Sequence, residues 1–232
     1  MPRRVGILGG MGPQATVLLM SRVIAAVPAA DDRDHVPLIV DQNPQVPSRI
    51  ARLIEGTGED PAPVLVAMAR RLEAAGVEAL AMPCNTAHHF APAITAAVAI
   101  PFLDMTALSV AHARRLAGPD GRIGVLASPA LRRIGLFDGK LGQAGLTAVY
   151  PEDEEALLDA IRRIKASGVD AVARDIFRRA SMQLLEAGVA TQMIACTEFS
   201  LLADSAEEGA KAFDTLDVLV GAILDFSLAR EA

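Results

Sequence analysis

Tryptophan is absent from this chain of 232 residues, tyrosine occurs once, and aromatic residues make up 3% of the whole. A nucleic-acid surface needs stacking platforms or a basic stripe. The chain offers neither, and its net charge of −6 argues further against a phosphate-backbone partner. No apolar run reaches the roughly 18 residues of a membrane span. The opening MPRRVGILGG lacks the apolar stretch and cleavage site of a signal peptide. A soluble cytoplasmic protein with neither membrane nor nucleic-acid partner is expected. Cysteine is scarce too, with two in the chain. In a reducing cytosol both are expected to be free thiols, and without clustered histidines or acids they make a poor metal site. What the chain does have is apolar content, 52%, enough to bury a sizeable core.

Apolar runs bounded by Gly, Pro or Asp mark strands at 4–9, 36–41, 77–82, 100–105, 122–127, 146–150 and 189–195. Helical spacing lies between them. Val64, Met68 and Leu72 fall four apart, as do Val172, Ile176, Ala180 and Leu184, so each set shares a helix face. Strands that are apolar throughout, alternating with helices, predict an α/β chain with mainly parallel sheets.

The chain also repeats itself. LEAAGVEALAMPCNTAHH ends around Cys84 and LLEAGVATQMIACTEFS around Cys196, with Gly76 and Gly188 each eight residues before the thiol. Gly6-Ile7-Leu8 opens one half and Gly124-Val125-Leu126 the other. Two pseudo-symmetric lobes are expected, each a mainly parallel sheet flanked by helices, with the active site in the cleft between them. Residues 1–105 with 207–232 would form the N-terminal lobe and 106–206 the second. The helix near 216–229 has no evident counterpart closing the first half and is expected to return to the first lobe.

Each cysteine ends an apolar strand and precedes a short helix, where unpaired amides favour an anion and draw a thiol from about 8.5 towards neutrality. Such a thiolate serves as base or nucleophile. The plainer reading makes both cysteines small buried hydrophobes. Polar neighbours stand beside each: Asn85 and Thr86 in one loop, Thr197 and Glu198 in the other. His88, four residues after Cys84, is either its polar neighbour or a surface or cap residue, and Glu198 either orients the thiol or simply suits a first helical turn. Gly10-Met11-Gly12-Pro13-Gln14-Ala15 after a strand, with Asp41 ending the next, also fits a dinucleotide loop, although that leaves the paired cysteines unexplained.

GILGGMGP at the start, NPQVPSR at 43–49, CNTAH at 84–88 and CTE at 196–198 resemble, in order and spacing, the cofactor-independent aspartate/glutamate racemases, from Val5 to about Leu228. The resemblance implies two α/β lobes, no cofactor, and two cysteines acting on opposite faces of a substrate Cα. These map onto Cys84 and Cys196. It makes Met11 and its loop a wall of the substrate site, Gln45 and Arg49 of NPQVPSR binding residues, and Lys165 of RRIKASG a second cation for a carboxylate. Asn85, Thr86, Thr197 and Glu198 complete the set. The family's Thr-x-Gly-Thr, followed by Ser and Tyr, is replaced by Ser128-Pro129-Ala130-Leu131, then Ile134 and Phe137, which points to a less polar pocket.

The function expected is therefore racemisation of aspartate, glutamate or a related amino acid by two-base proton transfer, without pyridoxal phosphate, in a homodimer. A hydantoin racemase or maleate isomerase on the same scaffold and a non-catalytic amino-acid-binding protein are the alternatives.

Overall fold

A computed structural model describes residues 2–117 and 120–229. Two compact units emerge: one runs to Leu108 and resumes at Leu216, and the other takes Ser109–Thr215.

The first unit holds strands β1 (Val5–Gly9), β2 (Leu38–Gln42), β3 (Ala79–Ala81) and β4 (Phe102–Leu103), with helices α1 (Pro13–Ala26), α2 (Ala62–Ala74), α3 (Ala91–Thr95) and the start of α4 (Met105–Leu116). The second holds β5 (Arg122–Leu126), β6 (Thr147–Val149), β7 (Thr191–Ile194) and β8 (Lys211–Asp214). Its helices are α5 (Pro129–Arg133), α6 (Leu136–Gln143), α7 (Glu154–Ser167) and α8 (Ala171–Glu186). The final helix, α9 (Thr215–Leu228), packs in the first unit.

Both sheets are parallel and share one order, β2-β1-β3-β4 and β6-β5-β7-β8. The repeat is therefore one of topology as well as sequence. Every residue of β1, β3 and β7 is buried, as expected of strands covered on both faces.

The match reaches single contacts. A β-carbon on Gly6 would lie 2.9 Å from Val77 Cγ2, 3.1 Å from Leu80 Cδ2 and 3.3 Å from Leu72 Cβ; one on Gly124 would lie 2.8 Å from Leu184 Cδ1 and 3.2 Å from Gln192 Cγ. Leu72 and Leu184 each stand four residues before the glycine that ends the helical segment. The bare glycine in the central strand lets α2 and α8 settle directly on their sheets.

Four details differ from the sequence-based expectations. An eighth strand, β8, pairs with β7 from Thr191↔Lys211 to Ile194↔Asp214. It is a short edge strand with exposed Lys211 and Ala212, so no apolar run announces it. The division expected at 206/207 accordingly lies after β8, since pairing with β7 ties 211–214 to the second sheet. The ends of the expected lobes at residues 1 and 230–232 lie outside the described residues. Secondly, α9 has a counterpart. Leu216, Leu219, Val220 and Ile223 pack with Val5, Ile7, Leu19 and Val23 in the first unit, while Val110 and Ala113 of α4 pack with Ile123 and Val125 in the second. Thirdly, Val172 is 48% exposed; the buried stripe of α8 is Ala173, Ile176, Phe177, Ala180, Ser181 and Leu184. Fourthly, Ala130, Leu131 and Phe137 are fully buried, the last two among Ile123, Val125 and Met193, so they fill a core rather than a polar pocket.

Alanine at Gly6 or at Gly124 is expected to destabilise the protein by about 1–3 kcal/mol through overpacking. Equilibrium urea unfolding checks this, and unchanged midpoints in both variants would show that the leucine contacts yield freely.

Candidate active site

Parallel strands present their C-terminal ends together, and ligands of open α/β sheets bind there. In each unit the cysteine stands at that end of the third strand, Cys84 beyond β3 and Cys196 beyond β7. Both are free and nearly buried, 7% and 6% exposed.

Around Cys84 the chain turns tightly, its amide donating to the Met82 carbonyl at 2.9 Å. Met11 of the glycine loop is buried in the same apolar cluster, with Leu8, Val46 and Met82. The structure thus brings the Met11 and Cys84 segments into one apolar cluster. Asn85 is buried and Thr86 half-buried at the start of a 3-10 turn, Thr86–Phe90. His88 is no surface residue. Its Nδ1 lies 2.8 Å from the Cys84 carbonyl, and Nε2 accepts the Met105 amide at 3.1 Å. With Nε2 accepting, the ring proton belongs on Nδ1, and a neutral imidazole links the cysteine turn to the start of α4. Asp104 Oδ1 caps that helix by accepting the Thr106 and Ala107 amides at 2.8 and 3.0 Å.

Arg49 is half-buried, and its Nη1 donates to the carbonyls of Val46 and Pro47 at 3.1 and 2.9 Å. Those bonds hold the NPQVPSR loop in shape. Gln45 is exposed, its amide donating to Asn43 Oδ1 at 3.0 Å. The dinucleotide alternative loses two of its parts. Asp41 accepts from Arg71 Nη2 at 2.7 Å, and the Gly10 amide donates to Thr16 Oγ1 at 2.9 Å.

In the second unit Cys196 sits in a chain of polar contacts. Its thiol donates to Glu198 Oε2 at 3.1 Å, and Glu198 Oε1 lies 3.2 Å from Lys165 Nζ. Thr197 and Glu198 are buried, whereas the Lys165 side chain is 39% exposed. Burial, then the Glu198 carboxylate, push the Cys196 thiol well above its ordinary value, and Lys165 opposes them. This reverses the expectation of a thiol drawn towards neutrality. The turn that follows, Phe199–Ser205, is a 3-10 helix, and its first amides, of Phe199 and Ser200, bond the Cys196 carbonyl at 2.8 and 3.1 Å. Amides directed at the carbonyl do little for sulfur.

Sequence reasoning singled out His88 but missed Ser200, Asp104 and Asp214, which brace these turns with it. Four positions after each thiol stand His88 and Ser200, and an aspartate stands at the end of each sheet's last strand, Asp104 and Asp214. Ser200 Oγ donates to Asp214 Oδ1 at 2.8 Å; His88 Nε2 lies 3.8 Å from Asp104 Oδ1. The equal offset was the available signal. No group of three or more His, Cys, Asp or Glu able to hold a metal occurs among the described residues, and no described helix is long and apolar enough to cross a membrane.

A doubled parallel α/β unit with a buried thiol at the same strand end in each copy defines a narrow class of proteins. The chain belongs to the Asp/Glu/hydantoin racemase family, which matches residues 8–223. It is similar to the broad specificity amino-acid racemase RacX of Bacillus subtilis (strain 168), with 32% identity over 103 residues, a match spanning 43% of this chain and 44% of that relative's length. Its fold resembles that of Picrophilus torridus aspartate racemase, with TM-score 0.87 and 24% identity over 99% of this chain and 96% of that one. It also resembles Francisella tularensis glutamate racemase, solved with D-glutamate, with TM-score 0.66 and 14% identity over 97% and 80% of the two chains.

Removing the Glu198 charge removes an interaction that holds the proton on Cys196. In a Cys84→Ser background, Glu198→Gln is expected to lower the pH at which the remaining thiol ionises, followed by thiolate ultraviolet absorbance against pH. An unchanged titration would mean that burial alone sets it.

Proposed function

We propose that the protein is an amino-acid racemase that needs no cofactor, with Cys84 and Cys196 as its two acid/base groups and aspartate, glutamate or a related acidic amino acid as substrate. The observation that carries the reading is the duplicated thiol: a cysteine at the end of the third strand in both copies of the repeat, in a member of a racemase family. Both copies also keep polar neighbours beside the thiol, Asn85 and Thr86 in one and Thr197 and Glu198 in the other, which a buried structural cysteine does not need.

The chemistry follows from what each thiol meets. In the resting protein Cys196 is a thiol hydrogen-bonded to Glu198, so we assign it the proton donor's role and Cys84 the base's in the first turnover direction. Cys84 takes the α-proton as a thiolate, Cys196 delivers its proton to the opposite face, and the reverse reaction exchanges the roles. The developing carbanion needs oriented donors; Asn85, Thr86 and Thr197 are the proposed ones. When Cys196 gives up its proton, the thiolate forms beside Glu198, and the Lys165 ammonium, already 3.2 Å from that carboxylate, balances the added charge.

An acidic substrate brings carboxylates that require cations. Arg49 retains Nε and Nη2 beyond the Nη1 bonds to its own loop. Lys165 carries three donors on an exposed ammonium, enough to share between Glu198 and a substrate. Met11 and Gln45 are assigned to the walls of the same site. A cytoplasmic homodimer, the state the family resemblance suggests, completes the proposal.

Proton NMR of an amino-acid panel in D₂O tests the reading directly, since α-deuteration reports both reaction and substrate. Cys84→Ser and Cys196→Ser are each expected to lose racemisation by orders of magnitude, because serine is a far weaker acid than cysteine. Residual one-sided exchange should favour opposite enantiomers in the two variants. Folded variants that racemise at the wild-type rate would remove both cysteines from the mechanism.

Arg49→Ala and Lys165→Ala should each raise KM for the best acidic substrate, with Lys165→Ala also lowering kcat because it strips the Glu198 and Cys196 pair of its counter-charge. Wild-type efficiency in both would withdraw them as carboxylate anchors.

A further inference from the structure

At the opposite end of the first sheet, where the strands begin, lies a cavity of about 970 Å³ whose lining includes Arg3, Arg4, Arg33, Asp34, Glu78 and Ser227. Three guanidinium groups there face two carboxylates, in a chain whose net charge is −6. The carboxylates already serve the backbone. Asp34 Oδ2 accepts the amides of Ala30 and Asp31 at 3.0 and 2.9 Å, and Glu78 Oε2 accepts the Arg4 amide at 2.8 Å.

The arginines are less committed. Arg3 is fixed at its main chain, donating to the Ser227 carbonyl at 2.8 Å and accepting from Ser227 Oγ at 2.7 Å. Its guanidinium lies 3.9 Å over the Phe226 ring, which covers a face and leaves the N–H edge for an acceptor. Its Nε is buried with no hydrogen-bond partner, a donor the protein itself leaves unsatisfied. Among the described residues the Arg4 guanidinium makes no ion pair. Arg33 has only a 3.9 Å approach to Asp31, and its side chain is 85% exposed.

The internal repeat supplies a comparison. At the position of Arg4 the second unit has Arg122, whose Nη1 donates to the Ala187 carbonyl at 3.0 Å at the end of α8. At the position of Arg3 it has Gly121. Arg4 Nη1 takes the same place, 3.7 Å from where a Gly76 β-carbon would stand, as Arg122 Nη1 is 3.8 Å from that of Gly188, but among the described residues only the second copy makes the carbonyl bond.

We propose that the cavity is a binding site for a small multivalent oxyanion, a phosphate ester or a polycarboxylate, gripped by Arg3 and Arg4 with Arg33 at its rim. Guanidinium groups suit either chemistry because both present paired oxygens at fork spacing. The site is separate from the thiol. The five residues of β1 span roughly 17 Å at strand rise, and Cys84 follows the far end of the sheet.

Isothermal titration calorimetry of the full chain, at constant ionic strength, with pyrophosphate and with citrate as probes, tests this. Saturable binding of at least one probe is expected, pyrophosphate preference identifying a phosphate ester and citrate preference a polycarboxylate. Arg4→Gln, at an exposed position, should weaken it about tenfold, in line with the loss of a charge-assisted pair. Arg3→Lys, which keeps the charge and loses the Nε donor, should also weaken it. The double variant Arg49→Gln/Lys165→Gln should bind as the wild type does. Thermal melts confirm that the variants fold. Absence of saturable binding by either probe, wild-type binding in both Arg4→Gln and Arg3→Lys, or loss confined to the Arg49/Lys165 variant would overturn the proposal.

Discussion

A leucine pressed onto a bare glycine sets the geometry of each half of this protein. Leu72 meets Gly6 and Leu184 meets Gly124, and through these contacts α2 and α8 lie against the central strands β1 and β5 without a side chain between them. The consequence runs along the chain. Each helix ends at a tight turn, Gly76 or Gly188, both with positive φ, and the third strand then pairs with the first, Gly6 opposite Leu80 and Gly124 opposite Gln192. Four residues further on stands the thiol. The position of each cysteine thus follows from the same packing, and each thiol shares an apolar cluster with that leucine, Cys84 with Leu72 and Cys196 with Leu184.

From the same backbone the two copies build different electrostatic surroundings. Cys84 has a neutral histidine bonded to its carbonyl and apolar neighbours at its side chain. Cys196 has a carboxylate hydrogen-bonded to sulfur and an ammonium behind the carboxylate. Repetition supplied two thiols, and divergence at the next residues gave Cys196 a carboxylate that, after burial, raises its proton affinity.

Much of this was legible because it rests on spacing. The α/β alternation, the repeat, seven of the strands and the matching thiols follow from apolar runs and glycine offsets. What escaped had other causes. β8 is an exposed edge with a lysine at its start, so hydrophobicity could not reveal it. Val172 shared a helical spacing with buried residues yet lies beyond the margin of the face, because a four-residue step drifts around the helix. Leu131 and Phe137 read as pocket residues only by comparison with hydroxyls at those positions, whereas packing against Val125 and Met193 decides their direction. The thiol's proton affinity escaped for a deeper reason. Burial, which pushes the thiol up most, and Lys165, which opposes it from 33 residues before Glu198, are both products of tertiary structure.

Glu198 carries the sharpest conflict in the molecule. Its side chain is 11% exposed, and a carboxylate withdrawn from water to that degree loses several kcal/mol of hydration unless other groups replace it. Lys165 and the Cys196 thiol provide that replacement, one as counter-ion and the other as donor. Each therefore depends on the protonation state of the rest. Ionising the thiol removes a hydrogen bond from the carboxylate and adds a second negative charge beside it, so the ammonium must neutralise two anions in place of one. Lys165 therefore opposes the upward push that burial and the Glu198 carboxylate give the thiol, and drawing the ammonium away would hold the proton more firmly on sulfur.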